Sequence, residues 1–222
     1  MSEILEIGVN NVIEEPFTTI EVHSYVPYIN SFGNNDVIRI GVHHQEQCLI
    51  PSRSSIHIQE KFTRSNGELV VNGTSLVTNA ICHLFSEIRY DLNSATIDRC
   101  KNAGITSVMK GYPSINSSCV NALQITGWHP GKIPDANGNC NVLIPLSMLF
   151  GFAEDFQKIV CNAKHELILT RSNTDINSII QTNAANTDAN GGDFVFNISK
   201  MAWMMPYLIP SDYNKAKLLK FL

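Results

Sequence analysis

Alternation of apolar and polar side chains is the feature that most limits what this chain can fold into. Every second side chain of residues 87–92 is charged and those between are apolar, and residues 38–42 follow the same period of two. Successive side chains of a strand point to opposite faces, so this period predicts strands with one buried face. Seven or eight strands result when similar runs are counted over residues 17–25, 55–62, 142–146, 159–171, 194–198 and 203–209.

Helical periodicity is weak by comparison. Short helices are predicted within residues 75–85 and 149–156, neither long enough to build a helical layer. Residues 103–138 and 173–192 are rich in Gly, Pro, Asn and Ser, which predicts long loops between strands. No internal repeat or linker divides the chain, so we predict an N-terminal arm over residues 1–16 and a single domain over residues 17–222.

About eight antiparallel strands with long excursions between some of them predict an all-β fold of two facing sheets, in which the apolar face of each sheet covers the other. A chain of 222 residues is large enough to bury such a core without a disulfide or a metal. The alternation alone leaves jelly-roll, immunoglobulin-like and lipocalin-like arrangements open.

The charge pattern bears on the partners. Sixteen Lys and Arg against 20 Asp and Glu give a net charge of -4, and the basic residues are scattered, so specific nucleic-acid binding is not expected. Charged residues form 16% of the chain, well below the usual share. A neutral polar surface suits protein–protein contacts, because less charge is desolvated on docking; a compositional bias of the source explains it equally well.

Neither a membrane span nor a secretory signal is expected. The longest apolar run falls far short of the ~20 residues that a span requires, and the first residues do not combine a basic segment with an apolar one. We therefore expect the protein inside a cell. Its cysteines show neither a CxxC pair nor zinc-finger spacing, which favours free buried thiols at Cys48, Cys82, Cys100, Cys119, Cys140 and Cys161.

The sequence contains no GxSxG, HExxH, GxxxxGK or GxGxxG motif. His43 and His44 with Cys48 suggest metal ligands, but neighbours on a strand point to opposite faces, so solvated histidines are favoured. Cys82 beside His83 suggests a thiol nucleophile with its base. Because residues adjacent in a helix do not face each other, a buried Cys and a partly exposed His are favoured.

Glu154 and Asp155 are a possible acid–base pair, but neighbouring carboxylates cannot flank a substrate. A helix-end or turn role, in which they accept backbone N–H bonds, is therefore favoured.

The aromatic and basic residues near the C-terminus are too sparse to stack nucleic-acid bases, so a segment that docks on the domain or on a neighbouring subunit is favoured. We expect no enzyme activity and no catalytic, cofactor-binding or metal site. The C-terminal set comprises Tyr207, Tyr213, Phe221, Lys215, Lys217 and Lys220.

Five motifs in order carry a family resemblance. The most specific is IPLSMLFGFAEDF over residues 144–156, followed by KHELILTR over residues 164–171. The other motifs are EVHSY (21–25) with DVIRI (36–40) and LIPS (49–52), then NAICHLFSEIRY (79–90), and finally MAWMMPY (201–207) with PSDY (210–213). Together they resemble the N-terminal half of double jelly-roll major capsid proteins, found in Polinton or Maverick elements, adintoviruses and related virus-derived genes of invertebrates.

The resemblance implies an eight-stranded jelly roll that forms half of a subunit in a pseudo-sixfold capsid trimer, with a mechanical role and no cofactor. Two departures stand out. The chain ends at Leu222, where the connection to a second jelly roll is expected, and Tyr207 replaces a His after Met205-Pro206. The chain is therefore either a part of a longer subunit or a single jelly roll.

The partners that the resemblance implies are other copies of the chain, in a trimer or larger assembly, or a second jelly-roll domain. The location that it implies is a virion or the inside of a host cell. Two other functions stay open: a virus-derived binding module recruited by a host, and a metal-dependent cupin-type enzyme, which would require converging His and carboxylate side chains.

Overall fold

The computed structural model describes residues 17–43, 48–70, 74–115, 122–128, 134–181 and 194–210. The predicted arm, residues 1–16, and the C-terminal residues 211–222 lie outside this range. In chain order the described strands are β1 (Phe17–Tyr25), β2 (Val37–His43), β3 (Cys48–Leu49), β4 (Ser55–Arg64), β5 (Thr74–Leu76), β6 (Phe85–Leu92), β7 (Ala95–Lys101), β8 (Asn139–Pro145), β9 (Val160–Cys161), β10 (Lys164–Arg171), β11 (Ile179–Gln181) and β12 (Phe194–Pro210).

Four short helices join the strands. They are α1 (Ala80–His83), α2 (Ala103–Ser114), α3 (Leu146–Leu149) and α4 (Gly151–Asp155), with 3-10 turns at Pro51–Arg53, Ala122–Thr126 and Ile176–Ser178. The described residues contain no helix whose length and apolarity would allow it to cross a membrane.

Eight of the described strands have seven residues or more, and they form two four-stranded sheets. The first sheet has the order β1-β12-β4-β8 and the second has the order β2-β10-β6-β7. Two short strands, β3 and β9, extend the first sheet beside β12. The chain passes repeatedly from one sheet to the other, and the first and last strands are neighbours, which is the arrangement of a jelly roll. The predicted all-β, eight-stranded antiparallel jelly roll is confirmed.

The core lies between the two sheets, where the inward side chains of each meet. Ile56 and Ile58 on β4 belong to the same core cluster as Leu167 and Leu169 on β10, and all four are fully buried. Trp203 on β12 is also fully buried, and its indole N–H donates a 3.1 Å hydrogen bond to the hydroxyl of Ser54. The alternation in the sequence therefore corresponds to inward and outward positions of a sandwich.

The prediction of a long loop over residues 103–138 is wrong over its first third, because residues 103–114 form α2. This helix buries small residues, Ala103, Gly104, Ser107 and Gly111, so it shows no apolar periodicity on its buried face. A β-carbon on Gly111 would overlap the ring of Trp128, which explains why glycine is required where the helix packs. Helix α2 therefore packs closely against the rest of the domain through its small side chains.

Two further predictions need correction. Within residues 75–85 only Ala80–His83 is helical, since Thr74–Leu76 pairs as a strand with Ile179–Gln181. The predicted loop over residues 173–192 is also wrong in part, because Ile176–Ser178 form a 3-10 turn and Ile179–Gln181 form a strand. Residues 182–192 lie outside the described range. The predicted helix near 149–156 is confirmed by α3 and α4.

Candidate functional site

The structure does not bring the first pair of candidate metal ligands together. His43 is exposed at the end of β2, whereas Cys48 is buried in β3, and His44 lies outside the described residues. Within the described ranges, no group of three or more His, Cys, Asp or Glu side chains has the arrangement to hold a metal ion.

Cys82 and His83 do not form a nucleophile and base. The Cys82 thiol is fully buried in α1 and donates a 3.3 Å hydrogen bond to the Asn79 side-chain oxygen. Burial raises the pKa of the Cys82 thiol to about 12, so it carries its proton at neutral pH. Since the thiolate is the reactive form, Cys82 is a structural residue. His83 is half-buried, and burial lowers its pKa.

Glu154 and Asp155 are exposed at the end of α4. The Glu154 carboxylate forms a 2.8 Å ion pair with Lys110 of α2. The helix-end role of Glu154 and Asp155 through backbone N–H bonds stays a prediction. Tyr207 packs on the core, with its ring 5.4 Å from that of His23. The other five members of the predicted C-terminal docking segment lie outside the described residues.

A buried ion pair joins the two sheets at one end of the sandwich. Arg171, at the end of β10, contacts Asp175 through Nη2 at 2.9 Å, and both side chains are almost fully buried. The Arg171 guanidinium also donates to the Leu84 carbonyl at 3.0 Å and to the Asn34 side-chain oxygen at 3.1 Å. The second Asp175 oxygen accepts the backbone N–H of Phe196 on β12 at 3.2 Å. The pair therefore connects the second sheet to the first.

Glu60 on β4 is a third charged residue in the interior. It occupies an inward position between Ile58 and Phe62, and its side chain is 3% exposed. No nitrogen or oxygen donor among the described residues binds its carboxyl oxygens, and the neighbouring thiol is that of Cys140 on β8. Burial raises the pKa of Glu60 from 4.5 to about 8, against the opposing effect of the positive charge on Arg171.

The alternation in the sequence indicates that Glu60 and Arg171 lie in the interior. Glu60 falls on the same period of two as Ile58, and Arg171 falls on the period of Leu167 and Leu169, so both occupy positions predicted to face inward.

A cleft of about 380 Å³ opens beside the ion pair of Arg171 and Asp175. It is lined by these two residues and by residues 32–34 and 195–198. The hydrogen bonds of the ion pair are directed to protein groups, which indicates a structural role for the pair.

The most prominent exposed feature is an apolar stripe along α2. Ile105, Met109 and Tyr112, here called the α2 stripe, are 58%, 72% and 67% exposed. Their spacing of four and three residues places them on one side of the helix, opposite its small buried residues. Exposed apolar side chains that cluster in this way are typical of protein–protein contacts.

A second apolar surface lies along β1. Ile20 and Val22 on β1, together with Val26 just after the strand, are here called the β1 patch, and each is more than half exposed. Strand β1 pairs with β12 along one edge, and no strand of the described part pairs with its other edge. An open edge with apolar side chains favours association with another chain or domain.

The fold is similar to that of viral capsid structures. The Sputnik virophage structure matches with a TM-score of 0.61 and 10% identity, covering 96% of this chain and 52% of the matched chain. The Faustovirus major capsid protein matches with a TM-score of 0.57 and 9% identity, covering 96% and 58%. The PBCV-1 virus capsid matches with a TM-score of 0.57 and 13% identity, covering 93% and 46%.

This chain spans about half the length of the capsid chains it matches, from 46% to 58%. At these identities the likeness establishes the fold. No curated protein sequence matches the chain. The model of the double jelly roll-like domain family matches residues 74–222, which is more than half of the sequence and includes five of the eight long strands. This match confirms the resemblance found in the motifs, and the chain belongs to the double jelly roll-like domain family.

Proposed function

We propose that this chain is a structural subunit of a capsid or capsid-like shell, acting through protein–protein contacts and not as an enzyme. The observation that carries the proposal is that a jelly roll of this family exposes two apolar surfaces, the α2 stripe and the β1 patch. Burial of exposed apolar groups is the main favourable term in protein association, at about 25 cal/mol per Å².

The proposal assigns the α2 stripe to contacts between copies of this chain. Met and Tyr are enriched in interfaces, and Met109 and Tyr112 are the two most exposed members of the stripe. Charged residues are few in the chain as a whole, which reduces the cost of removing water from a docked surface.

The β1 patch is assigned to the contact with a second jelly roll, because the matched capsid chains are about twice as long as this one. In this arrangement the chain is the first roll of a subunit, and three subunits form the capsomer. The proposed location is the virion, or the host cell in which the shell assembles.

The test measures the assembly of the purified chain and of a stripe variant. We expect size-exclusion chromatography with light scattering to give masses that are multiples of the 24.6 kDa chain, and negative-stain microscopy to show particles of uniform size. Met109→Asp with Tyr112→Asp is expected to weaken association at least ~10-fold, because a buried contact would then contain uncompensated charge.

Ser114→Lys is the matched control, since it adds a charge to an exposed position of the same helix outside the stripe. It is expected to assemble like the unmodified chain. A chain that stays monomeric at high concentration across salt and pH contradicts the proposal, and so does equal assembly of the stripe variant and the control.

A further inference from the structure

Two cysteines 113 residues apart face each other at the end of the first sheet. Cys48 on β3 and Cys161 on β9 are register partners of the antiparallel pair, and their sulfur atoms lie 3.1 Å apart. They lie in a small apolar cluster with Ile50, Ile159 and Leu208, separate from the main core. Both are free thiols in this structure.

The positions suit a disulfide. Residues directly opposite in an antiparallel pair have Cα atoms about 4.5–5.5 Å apart, which lies inside the ~4.4–6.8 Å range of disulfides. The sulfur atoms need to approach by about 1 Å to reach a bond of ~2.05 Å. Rotation of the two short side chains supplies this movement, and the strand pairing already holds the backbones in place.

The ionisation of the pair favours reaction at Cys48. The Cys161 thiol donates its hydrogen bond to the Cys48 sulfur, and this contact lowers the pKa of Cys48 although burial acts in the opposite sense. Burial instead raises the pKa of the thiols at Cys82, Cys100 and Cys140. The thiolate is the nucleophile in thiol oxidation, and Cys48 is the described cysteine whose pKa is lowered, so we assign the attack on the oxidant to Cys48.

We propose that Cys48 and Cys161 are a reversible redox pair that a peroxide oxidises to a cross-strand disulfide. The Cys48 thiolate attacks one oxygen of hydrogen peroxide and becomes a sulfenic acid, releasing hydroxide. The Cys161 sulfur then attacks the Cys48 sulfur and forms the S–S bond, and its proton leaves with the displaced hydroxyl as water. In sum two thiols and one peroxide give one disulfide and two waters, and a dithiol reductant reverses the change.

The disulfide fastens β9 to the rest of the sheet. In the reduced protein two residue pairs join β9 to β3, which is a weak attachment for an edge strand. A covalent link at one of those pairs removes the fraying of the edge and closes a long loop of chain in the unfolded state, which stabilises the folded protein.

The test exposes the reduced 222-residue chain to hydrogen peroxide and maps its thiols. Free thiols are blocked with iodoacetamide under denaturing conditions, and digested peptides are analysed by mass spectrometry with and without dithiothreitol. We expect one reducible cross-link, between the peptides that contain Cys48 and Cys161, and a rise of about 5 °C or more in the unfolding temperature.

Variants separate this pair from other thiols. Cys161→Ser is expected to leave a sulfenic acid at Cys48 that dimedone labels, whereas Cys48→Ser is expected to form no cross-link. Cys100→Ala, the matched control, retains the cross-link. Reduced thiols at both positions after peroxide treatment, or cross-links through other cysteines or between chains, overturn the proposal, and the measurement on the unmodified chain decides it even where a variant fails to fold.

Discussion

Glu60 places an ionisable carboxyl group between the two sheets. Its pKa is about 8 in the folded protein because burial disfavours the charged form, whereas an exposed glutamate ionises at 4.5. Between these values the unfolded chain has released this proton and the folded chain has kept it. The unfolded state then binds fewer protons, so the contribution of Glu60 to the free energy of unfolding falls as pH rises from about 4.5 to 8 and is constant above that.

His165 acts in the opposite sense at lower pH. Its ring is fully buried beside the Tyr90 hydroxyl, which lies 2.8 Å from Nδ1, and burial lowers the pKa of His165 from 6.5 to about 4. Between those values the unfolded chain binds the extra proton, so this contribution to stability is lost as pH falls below 6.5. The window between pH 6.5 and 8 therefore isolates Glu60 from His165.

We predict that Glu60→Gln removes the decline in stability that Glu60 causes between pH 6.5 and 8. Gln does not titrate, so the difference in free energy of unfolding between the variant and the unmodified chain is expected to grow by roughly 2 kcal/mol across this window. Urea denaturation at a series of pH values, followed by tryptophan fluorescence, measures this difference.

Glu68→Gln is the control, because Glu68 is exposed in the turn after β4. Its difference from the unmodified chain is expected to stay constant over the same pH range. A constant difference for Glu60→Gln as well would show that the Glu60 carboxyl ionises in the folded protein as it does in water.

At the scale of elements, α2 is held against the domain by small residues and one lysine. The Lys110 ammonium donates to the carbonyls of Ser147 at 2.6 Å and Phe150 at 3.2 Å, and it pairs with Glu154. These groups belong to α3, α4 and the residue between them, so Lys110 fixes the orientation of α2 relative to both short helices. The same orientation places the α2 stripe at the surface.

Gly111→Ala is predicted to destabilise the protein although alanine favours helices. The added methyl group would overlap the ring of Trp128, which is 4% exposed and closely packed. Overpacking costs about 1–3 kcal/mol, which exceeds the gain of up to ~1 kcal/mol from helix propensity. The free energy of unfolding from urea denaturation is expected to fall by about 1–2 kcal/mol.

Gly151→Ala is the matched control for this substitution. A β-carbon at Gly151 in α4 would meet its nearest side-chain atom, on Asp98, at an ordinary 3.9 Å. Its free energy of unfolding is expected to be unchanged or higher by less than ~1 kcal/mol. Similar decreases in the free energy of unfolding for both variants would mean that the contact with Trp128 does not explain why position 111 requires glycine.

The elements differ in how far the sequence predicts them. Strands such as β6 follow from alternation because one face is buried and the other is wet. Helix α2 does not, because it buries glycine, alanine and serine and exposes its apolar residues, which inverts the usual signal. The contact between Cys48 and Cys161 depends on the pairing of two-residue strands far apart in sequence, and no local pattern reports such pairing.

The molecule as a whole depends on how its two sheets are held face to face. Apolar side chains supply most of the contact, but at one end the connection is the ion pair of Arg171 and Asp175, which reaches β12 through the N–H of Phe196. A buried pair of this kind contributes little net stability compared with apolar residues, while loss of one partner leaves an uncompensated charge in the interior. The interaction therefore specifies how the sheets meet more than it stabilises them.

Arg171 and Asp175 are predicted to be strongly coupled in their effect on stability. Asp175→Asn and Arg171→Met alone are each expected to lower the free energy of unfolding by about 3 kcal/mol, because each leaves the other charge buried without its partner. The double variant is expected to lose at least ~1 kcal/mol less than the sum of the single losses, since it buries neither charge. Urea denaturation of the four proteins measures the cycle. Losses that add within ~0.5 kcal/mol would mean that the two charges act independently, and the closure of the sandwich would then depend on its apolar core alone.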